Sequence, residues 1–255
     1  MERVARKPFQ GITNIIRFNW HFYVIAGALL IILSFALNYL PAFLFTIAFI
    51  FLLLTTAALV VSLLVSWYVY DYAGLYSLSW LDKLHIAPGK QLVNINAGFD
   101  ETSHLLQQKY SHSTLRVFDF YDPVHHTEIS IERARKAYPA YPGTIKTSTG
   151  NIPLPIDSTD YIFLIFAAHE IRDEKERIEF FKELRGVLKN DGKIIVTEHQ
   201  RDIPNFIAYT IGFFHFFSPA AWKRTFAKAD LRIESSFKLT PFITTFVLTK
   251  NGTAP

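Results

Sequence analysis

The chain has 255 residues, of which 50% are hydrophobic and none is cysteine, and this hydrophobic share is high for a single soluble domain. Its formal net charge of +4 is modest and comes from residues of both signs, 26 basic and 22 acidic. A dedicated nucleic-acid-binding protein would concentrate basic residues on one face, so we expect no nucleic-acid partner. A small positive charge of this kind suits a protein that lies against anionic lipid.

A long uncharged segment lies near the N-terminus. Residues 18–70 contain no Asp, Glu, Lys or Arg, and this run is far longer than the about 20 residues that cross a bilayer as a helix. Pro41 divides it, because proline disfavours an uninterrupted helix. We therefore predict two transmembrane helices joined by a tight turn. The alternatives are a pair of core helices, which are usually amphipathic, and a cleaved signal peptide, whose apolar region is short and single.

The flanks of this segment predict its orientation. Arg3, Arg6, Lys7 and Arg17 precede the first apolar stretch, and the turn between the two stretches is uncharged. Basic residues favour the cytoplasmic side, and two spans bring the chain back to the side on which it started. We expect a membrane protein with two spans, whose N-terminus and C-terminal domain both lie in the cytoplasm.

From about Ile86 the sequence alternates between short apolar runs and segments with helical periodicity. The predicted strands are "QLVNINA", "LRVFDFY", "GTIKTS", "YIFLIFA" and "KIIVTEH", and the predicted helices between them are "ETSHLLQQKY", "EISIERARKAY" and "DEKERIEFFKELRGVLK". Such alternation predicts βαβ units with right-handed crossovers. The predicted fold class is α/β: a Rossmann-like, mostly parallel sheet with helices on both faces, preceded by two transmembrane helices.

The predicted organisation has five parts. They are a basic cytoplasmic segment over 1–18, a transmembrane hairpin over 19–70, a linker over 71–88, the α/β domain over 89–250 and a tail over 251–255. In an open α/β sheet, ligands bind at the carboxyl ends of the strands. The stretch "LVNINAGFDETS" ends the first predicted strand. Gly98 would allow the backbone to approach a ligand closely there, and the helix that begins near Thr102 would direct its N-terminus into the pocket.

The most specific motif is "NIPLPIDSTDYIFLIFAAHEIRDEKERIEFFKELRGVLKNDGKIIVTEH", residues 151–199. It has a Leu-Pro pair followed by an acidic residue, a strand, a histidine after that strand, an amphipathic helix, a turn and a further strand. The later stretch "SPAAWKRTFAKADLRIESSFKLTPFITTFVLTK" adds a helix and two closing strands. Over residues 86–250 this order resembles the class I S-adenosylmethionine-dependent methyltransferases, especially the branch that acts on quinones and other small molecules. The resemblance implies S-adenosylmethionine as cofactor and methyl transfer to a small molecule.

The first cofactor motif departs from that family. Asn94 stands in the acidic place, Asn96 and Asp100 stand in two glycine places, and Phe99 lies between them. For the ribose we prefer Asp122 to Asp119, because a carboxylate accepts from both hydroxyls and Asp122 would end the strand before Pro123. The alternative is a solvated or helix-capping aspartate. The resemblance implies a cofactor-binding set of Asn94, Asn96, Ala97, Gly98, Asp100, Asp122, Ser148 and Asn151.

Methyl transfer from a sulfonium depends mainly on alignment and desolvation of the nucleophile, and a base helps where the acceptor is protonated. The candidate catalytic residues are His169, after the fourth strand, and Glu198 and His199, after the fifth. His169 could instead be a structural histidine that orders its loop. His125 and His126 are adjacent and lack ligand-spaced partners, so no metal site is predicted.

The segment "IPNFIAYTIGFFHFFSPAAW" is apolar and aromatic and contains His215. It is either a core helix with its loop or the wall of a pocket for a hydrophobic acceptor at the bilayer interface. We therefore predict a membrane-anchored S-adenosylmethionine-dependent methyltransferase that acts on a hydrophobic or membrane-associated small molecule. The altered glycine loop leaves open a non-catalytic relative that binds a lipid, nucleotide or protein partner. A nicotinamide-dependent oxidoreductase would need a glycine-spaced fingerprint that the first strand lacks.

Overall fold

The computed structural model describes residues 6–125 and 128–252. Its centre is a seven-stranded sheet in the order β3-β2-β1-β4-β5-β7-β6. The strands are β1 (Gln91–Asn96), β2 (Thr114–Asp119), β3 (Ile145–Lys146), β4 (Thr159–Ile165), β5 (Leu188–His199), β6 (Leu231–Thr240) and β7 (Ile243–Lys250). Strands β1 to β5 are parallel to one another, whereas β7 pairs antiparallel with both β5 and β6. The predicted mostly parallel α/β sheet is confirmed.

Eight α-helices accompany the sheet among the described residues. They are α1 (Gln10–Phe18), α2 (Trp20–Ala36), α3 (Ala42–Trp67), α4 (Ser103–Lys109), α5 (Ile129–Ala137), α6 (Glu174–Val187), α7 (Ile203–Tyr209) and α8 (Pro219–Lys228). Helix α6 shows why these residues fold as they do. Asp173 caps it by accepting a hydrogen bond from the backbone N–H of Glu176, and the stripe Ile178, Phe181 and Leu184 is buried against the sheet.

The sheet is covered on both faces. On one face Phe181, Trp222 and Phe226 belong to the core cluster that joins α6 and α8 to the strands. On the other face Trp80 and Leu81 belong to a second cluster. Burying a large apolar side chain of this kind contributes about 1.5–3 kcal/mol, so both layers stabilise the fold substantially.

The segment predicted as a linker is part of that second layer. Two 3-10 helices, Leu75–Ser77 and Ser79–Leu84, lie within residues 71–88. The indole N–H of Trp80 donates to the Leu75 carbonyl at 2.9 Å inside the core. Leu78, Trp80 and Leu81 of this segment therefore pack in the core of the α/β domain rather than forming a free linker.

Helices α2 and α3 are candidate membrane spans. The stretches Trp20–Tyr39 and Ala42–Ser77 contain helices long and apolar enough to cross a bilayer, and no residue in their most apolar windows is buried. Helix α3 alone is 26 residues long, or about 39 Å at 1.5 Å per residue, against a hydrocarbon core of about 30 Å. The two helices are thus not core helices of the α/β domain.

The N-terminal segment folds onto the domain. Helix α1 packs against α3 and α5, and its residues Asn14 and Phe18 are buried. The backbone N–H groups of Gly11 and Ile12 donate to the Asp71 carboxylate at 2.7 and 2.8 Å. A Cβ atom on Gly11 would lie 2.5 Å from the Cβ of Tyr70, so this close approach requires glycine. Arg3 and residues 253–255 of the predicted tail lie outside the described residues.

Candidate functional site

The loop after β1 is held by polar side chains where the family has glycines. The Asn96 side-chain oxygen accepts from the backbone N–H of Gly98, which has a φ of 98°. Asp100 accepts from the N–H groups of Thr102 and Ser103, each at 2.9 Å, at the start of α4. These hydrogen bonds show that asparagine and aspartate can build this turn, which explains how the loop keeps its shape with one glycine.

Two buried acceptor atoms, one in β1 and one in the loop after it, lack a partner among the described residues. Asn94 donates its amide to the hydroxyls of Thr102 and Ser103, while its own side-chain oxygen has no hydrogen-bond partner among the described residues. The Asp100 Oδ2 atom is likewise buried and unpartnered. A buried polar group without a partner costs about 1–3 kcal/mol, so the loop suits a ligand that brings hydrogen-bond donors, such as an ammonium group.

The acid at the end of β2 is Asp119, which corrects the preference for Asp122. Strand pairing ends at Asp119, opposite Asn96, and Asp119 is only 5% exposed. Asp122 lies three residues farther along, in an exposed turn, where it accepts from the backbone N–H of Val124. That hydrogen bond and the His125 side chain lower the pKa of Asp122. The prediction that Asp122 ends the strand is therefore wrong, because the chain leaves the sheet before it reaches Asp122 and Pro123.

Arg135 lies between the ends of β1 and β2. Its Nη1 atom donates to Asp119 at 2.6 Å and to the Gly98 carbonyl at 3.2 Å. A Cβ atom on Gly98 would be 2.7 Å from the same nitrogen, and the φ of 98° at this position also favours glycine. The Arg135 guanidinium thus occupies the place where Asp119 would accept a ligand's hydroxyl groups. Its long side chain from α5 can turn away without moving the sheet.

Helix α1 covers the outer side of the loop. Phe99 contacts Phe18 of α1 and Tyr138, with ring centroids 5.6 and 5.3 Å apart. Glu101 accepts from Arg6 and from the Tyr76 hydroxyl, each at 2.7 Å. The Phe99 side chain therefore packs against α1.

The remaining predicted cofactor residues lie at the same edge of the sheet. Ala97 is buried directly after β1. Ser148 and Asn151 pair with each other beyond β3, and the nearby Thr147 N–H donates to the Asp119 carbonyl at 3.0 Å. The structure thus gathers Asn94, Asn96, Gly98, Asp100, Ser148 and Asn151 around one strand edge. Their roles in binding a cofactor stay predictions.

A second polar group lies at the ends of β4 and β5. His169 is in a 3-10 helix after β4, and its Nδ1 atom is 2.7 Å from Glu198 Oε2 while its Nε2 atom is 3.0 Å from Glu170 Oε1. Burial alone would lower the pKa of His169, but the carboxylates of Glu198 and Glu170 outweigh burial and raise it well above its usual value. Burial would raise the pKa of Glu170, and the neighbouring His169 and His215 instead lower it.

The sequence analysis assigned no role in this group to His215 or to Glu128. His215, at the end of a 3-10 helix (Thr210–His215), has its Nε2 atom 3.1 Å from Glu128 Oε2 and 3.6 Å from Glu170 Oε1. One ligand atom from each of His169, Glu170 and His215 lies within 4.8 Å of the others. No spacing in the sequence predicts this set, because its members come from two connections that are far apart in the chain. His126 lies outside the described residues.

His199 has both ring nitrogens engaged. Its Nδ1 atom lies 3.0 Å from two acceptors, the Asn205 side-chain oxygen and the Phe242 carbonyl, so Nδ1 carries the proton and Nε2 accepts from the Tyr70 hydroxyl at 2.8 Å. The ring is 4% exposed, and burial lowers the pKa of His199 to about 4. His199 is therefore a neutral residue that joins β5 to the end of the second apolar helix. A role as base would require these contacts to break.

Residues 110–196 match the family model described as a methyltransferase domain. Among curated proteins, none matches the chain in sequence. In structure the chain is similar to a SAM-dependent methyltransferase from Aquifex aeolicus, with 16% identity and a TM-score of 0.51 over 70% of this chain and 93% of that chain. It is also similar to a SAM-dependent methyltransferase from Methanosarcina mazei, with 13% identity and a TM-score of 0.51 over 67% of this chain and 97% of that chain.

At these identities the structural likeness establishes the fold, and the match over residues 110–196 adds the methyltransferase domain. That match spans β2 to β5 and contains Asp119 and His169. The two findings bear out the predicted resemblance to S-adenosylmethionine-dependent methyltransferases, and with it the expectation of S-adenosylmethionine as cofactor. The residues at the strand edge fit that cofactor, because Asp119 offers a buried carboxylate while β1 and the loop after it hold two acceptors without a partner among the described residues.

Proposed function

We propose that this chain is a membrane-anchored methyltransferase whose acceptor is a lipid-soluble small molecule that reaches the site from the bilayer. The observation that carries the proposal is an exposed apolar surface on α7 and the 3-10 helix after it. Its members, called the apolar ridge below, are Ile203, Phe206, Ile207, Ile211 and Phe214. Helix α7 packs against α3, so the ridge continues the surface of a candidate membrane span.

The apolar ridge is attached to the domain through its backbone. Arg172 donates to the His215 carbonyl and Arg201 donates to the Phe214 carbonyl, each at 2.6 Å. The guanidinium groups thereby fix the main chain of the segment while the ridge side chains stay exposed. An exposed apolar patch of this kind marks a membrane or ligand contact more often than a free surface.

The ridge ends at the polar group beyond β4, since His215 contacts Glu170. An acceptor that follows the ridge would therefore arrive at the carboxyl edge of the sheet, where Asp119 and the Gly98 loop lie. Within this proposal His169 and Glu198 stay the candidate catalytic residues, with Glu198 orienting the His169 ring. The third candidate, His199, orders the site from the core.

When bound, the cofactor supplies an electrophilic methyl group on a positively charged sulfonium. Asp119 would accept hydrogen bonds from the ribose hydroxyls after Arg135 has turned away, and Asn94 and Asp100 would accept from the amino group. The chain's own contribution to transfer is to align the acceptor and to exclude water from it. The lowered pKa of Glu170 keeps its carboxylate ionised at neutral pH, where its negative charge favours a protonated His169.

The packing of α1 supports the proposed orientation. Because α1 contacts α5, the residues before the first span and the α/β domain lie on the same side of any bilayer that α2 and α3 cross. Arg6, Lys7 and Arg17 precede that span, and basic residues favour the cytoplasmic side. We therefore place both in the cytoplasm.

The test uses the full chain in a lipid nanodisc with methyl-labelled S-adenosylmethionine and a cell extract that is split into lipid and aqueous fractions. We expect label in the lipid fraction, and a loss of at least tenfold in Ile211→Asp. The matched control is Ile156→Asp, because Ile156 is 79% exposed against 83% for Ile211 but lies before β4, at the opposite edge of the sheet. Label in water-soluble acceptors alone, or equal effects of the two variants, would rule out delivery along the ridge.

A further inference from the structure

We propose that the chain binds one divalent transition-metal ion between His169, Glu170, His215 and Glu128. The ligand atoms are two imidazole nitrogens and two carboxylate oxygens, a set that suits ions such as Zn²⁺, Mn²⁺ and Fe²⁺. They come from the connection after β4, from the 3-10 helix after α7 and from the residue before α5. This group is called the His-Glu cluster below.

The distances in the His-Glu cluster suit a small ion. In a tetrahedral site, metal–ligand bonds of about 2.0–2.2 Å place neighbouring ligand atoms about 3.3–3.6 Å apart. Here Glu170 Oε1 lies 3.0 Å from His169 Nε2 and 3.6 Å from His215 Nε2, and Glu128 Oε2 lies 3.1 Å from His215 Nε2. The ligand atoms of His169, Glu170 and His215 lie within 4.8 Å of one another, so small side-chain movements would bring them to the spacing that metal coordination needs.

The surroundings of His169 are those of a metal ligand. A metal-ligating histidine almost always donates a hydrogen bond from its other ring N–H to a carboxylate or a carbonyl, and this bond fixes the orientation of the ring. Glu198, with a side chain that is 1% exposed, binds His169 Nδ1 at 2.7 Å and leaves Nε2 directed at Glu170. Glu198 is thus a positioning residue for the proposed site.

One guanidinium holds the two histidine segments together. Arg172 Nη1 donates to the His169 carbonyl at 3.2 Å and to the His215 carbonyl at 2.6 Å. The imidazoles are therefore brought into contact by a backbone clamp, and their ring centroids are 5.1 Å apart. This arrangement is prepared by the fold and does not depend on the two rings attracting each other.

Charge also favours a cation. Three carboxylates, those of Glu128, Glu170 and Glu198, converge on two imidazoles, and Arg172 Nη1 donates to the carbonyls of His169 and His215. Buried carboxylates are found paired or bound to metals because an isolated buried charge is costly. A divalent ion would supply the balancing charge with both imidazoles neutral.

A metal at this edge would lie where the proposed acceptor arrives. A Lewis acid there could bind an oxygen atom of the acceptor and lower the pKa of its hydroxyl group, which makes the oxygen a better nucleophile. This consequence rests on the proposed function, and it points to a hydroxyl-bearing acceptor. The metal site itself stands on the geometry of the His-Glu cluster alone.

The test is metal binding by the full, detergent-solubilised chain after treatment with a chelator. Calorimetric titration with Zn²⁺ and with Mn²⁺ should give one equivalent for at least one of the two ions. His215→Ala and Glu128→Gln should each weaken the affinity at least tenfold, and Glu198→Gln by about 10- to 100-fold. The control is His112→Ala, because His112 is an exposed histidine on the loop before β2, remote from β4 in the sequence.

A second readout guards against variants that misfold. Co²⁺ bound to nitrogen and oxygen ligands absorbs visible light, and the spectrum should change in Glu128→Gln, whose partly exposed side chain tolerates an amide. Absence of stoichiometric binding by any of the three ions, or the same affinity in wild type and His215→Ala, would overturn the proposal and leave an ion-pair network. Loss of S-adenosylmethionine binding with metal binding retained would count against the proposed function alone.

Discussion

Two conservative variants, Asp119→Asn and Asp122→Asn, test which carboxylate binds the ribose of the cofactor. A hydrogen bond to a charged group contributes about 1.5–3 kcal/mol, and an asparagine keeps one acceptor oxygen while it loses the charge and the second acceptor. Asp119→Asn should therefore weaken S-adenosylmethionine binding by about 1.5–3 kcal/mol, or about 10- to 150-fold. Asp122 is exposed and lies in a turn, so Asp122→Asn should change the affinity less than twofold.

Calorimetric titration of the detergent-solubilised chain with S-adenosylmethionine and S-adenosylhomocysteine measures both variants. Thermal unfolding is recorded in parallel, because Asp119→Asn also leaves Arg135 without its ionic partner. Combining Asp119→Asn with Arg135→Gln removes that complication. An effect of Asp122→Asn as large as that of Asp119→Asn would refute the placement of the site at the end of β2.

Three further outcomes follow from contacts around the site. Arg135→Gln should raise the affinity for S-adenosylmethionine about threefold or more, since the guanidinium no longer competes for Asp119; a tenfold loss in calorimetry would show that Arg135 binds the cofactor. Glu101→Gln should release α1, because Arg6 then loses its carboxylate partner. Limited trypsin digestion should cleave the N-terminal segment faster in this variant. Glu132→Gln, which removes an exposed ion pair on α5, should leave the cleavage rate unchanged. The depressed pKa of His199, about 4 against about 6.5 unfolded, means that its contribution to stability is complete above about pH 6.5 and is lost as the pH falls toward 4. Thermal unfolding between pH 7 and pH 5 should therefore depend less on pH in His199→Asn, and an unchanged slope would contradict this assignment.

Local pattern predicted much of the α/β domain. The period of Ile178, Phe181 and Leu184 identified α6 and its buried face, because that signal is carried within one segment. The predicted helix nevertheless ran two residues too far, since Leu188 already pairs with Thr159 as part of β5. Hydrogen bonding to a neighbouring strand decided that boundary, and the neighbour's position is not written in the local sequence.

The site was less predictable, because long-range packing determines it. Asp119 and Asp122 look alike in the sequence, and only the end of strand pairing separates them. Glu128 and His215 are 87 positions apart, and no spacing rule brings them to the same point. The role of residues 71–88 in the core was hidden for a similar reason, as Trp80 is buried by strands that follow it in the chain.

The contact between Tyr70 and His199 has a mechanical consequence. Helix α3 runs directly into a π-helix, Tyr68–Tyr72, at the start of the domain, and this hydrogen bond fastens that π-helix to β5. A domain on a flexible tether explores many orientations, whereas a domain on a continuous helix does not. In a bilayer, the His-Glu cluster would therefore stay at a constant height above the hydrocarbon core. The search for an acceptor would then be two-dimensional, limited by how fast that molecule diffuses within its leaflet rather than by motion of the enzyme.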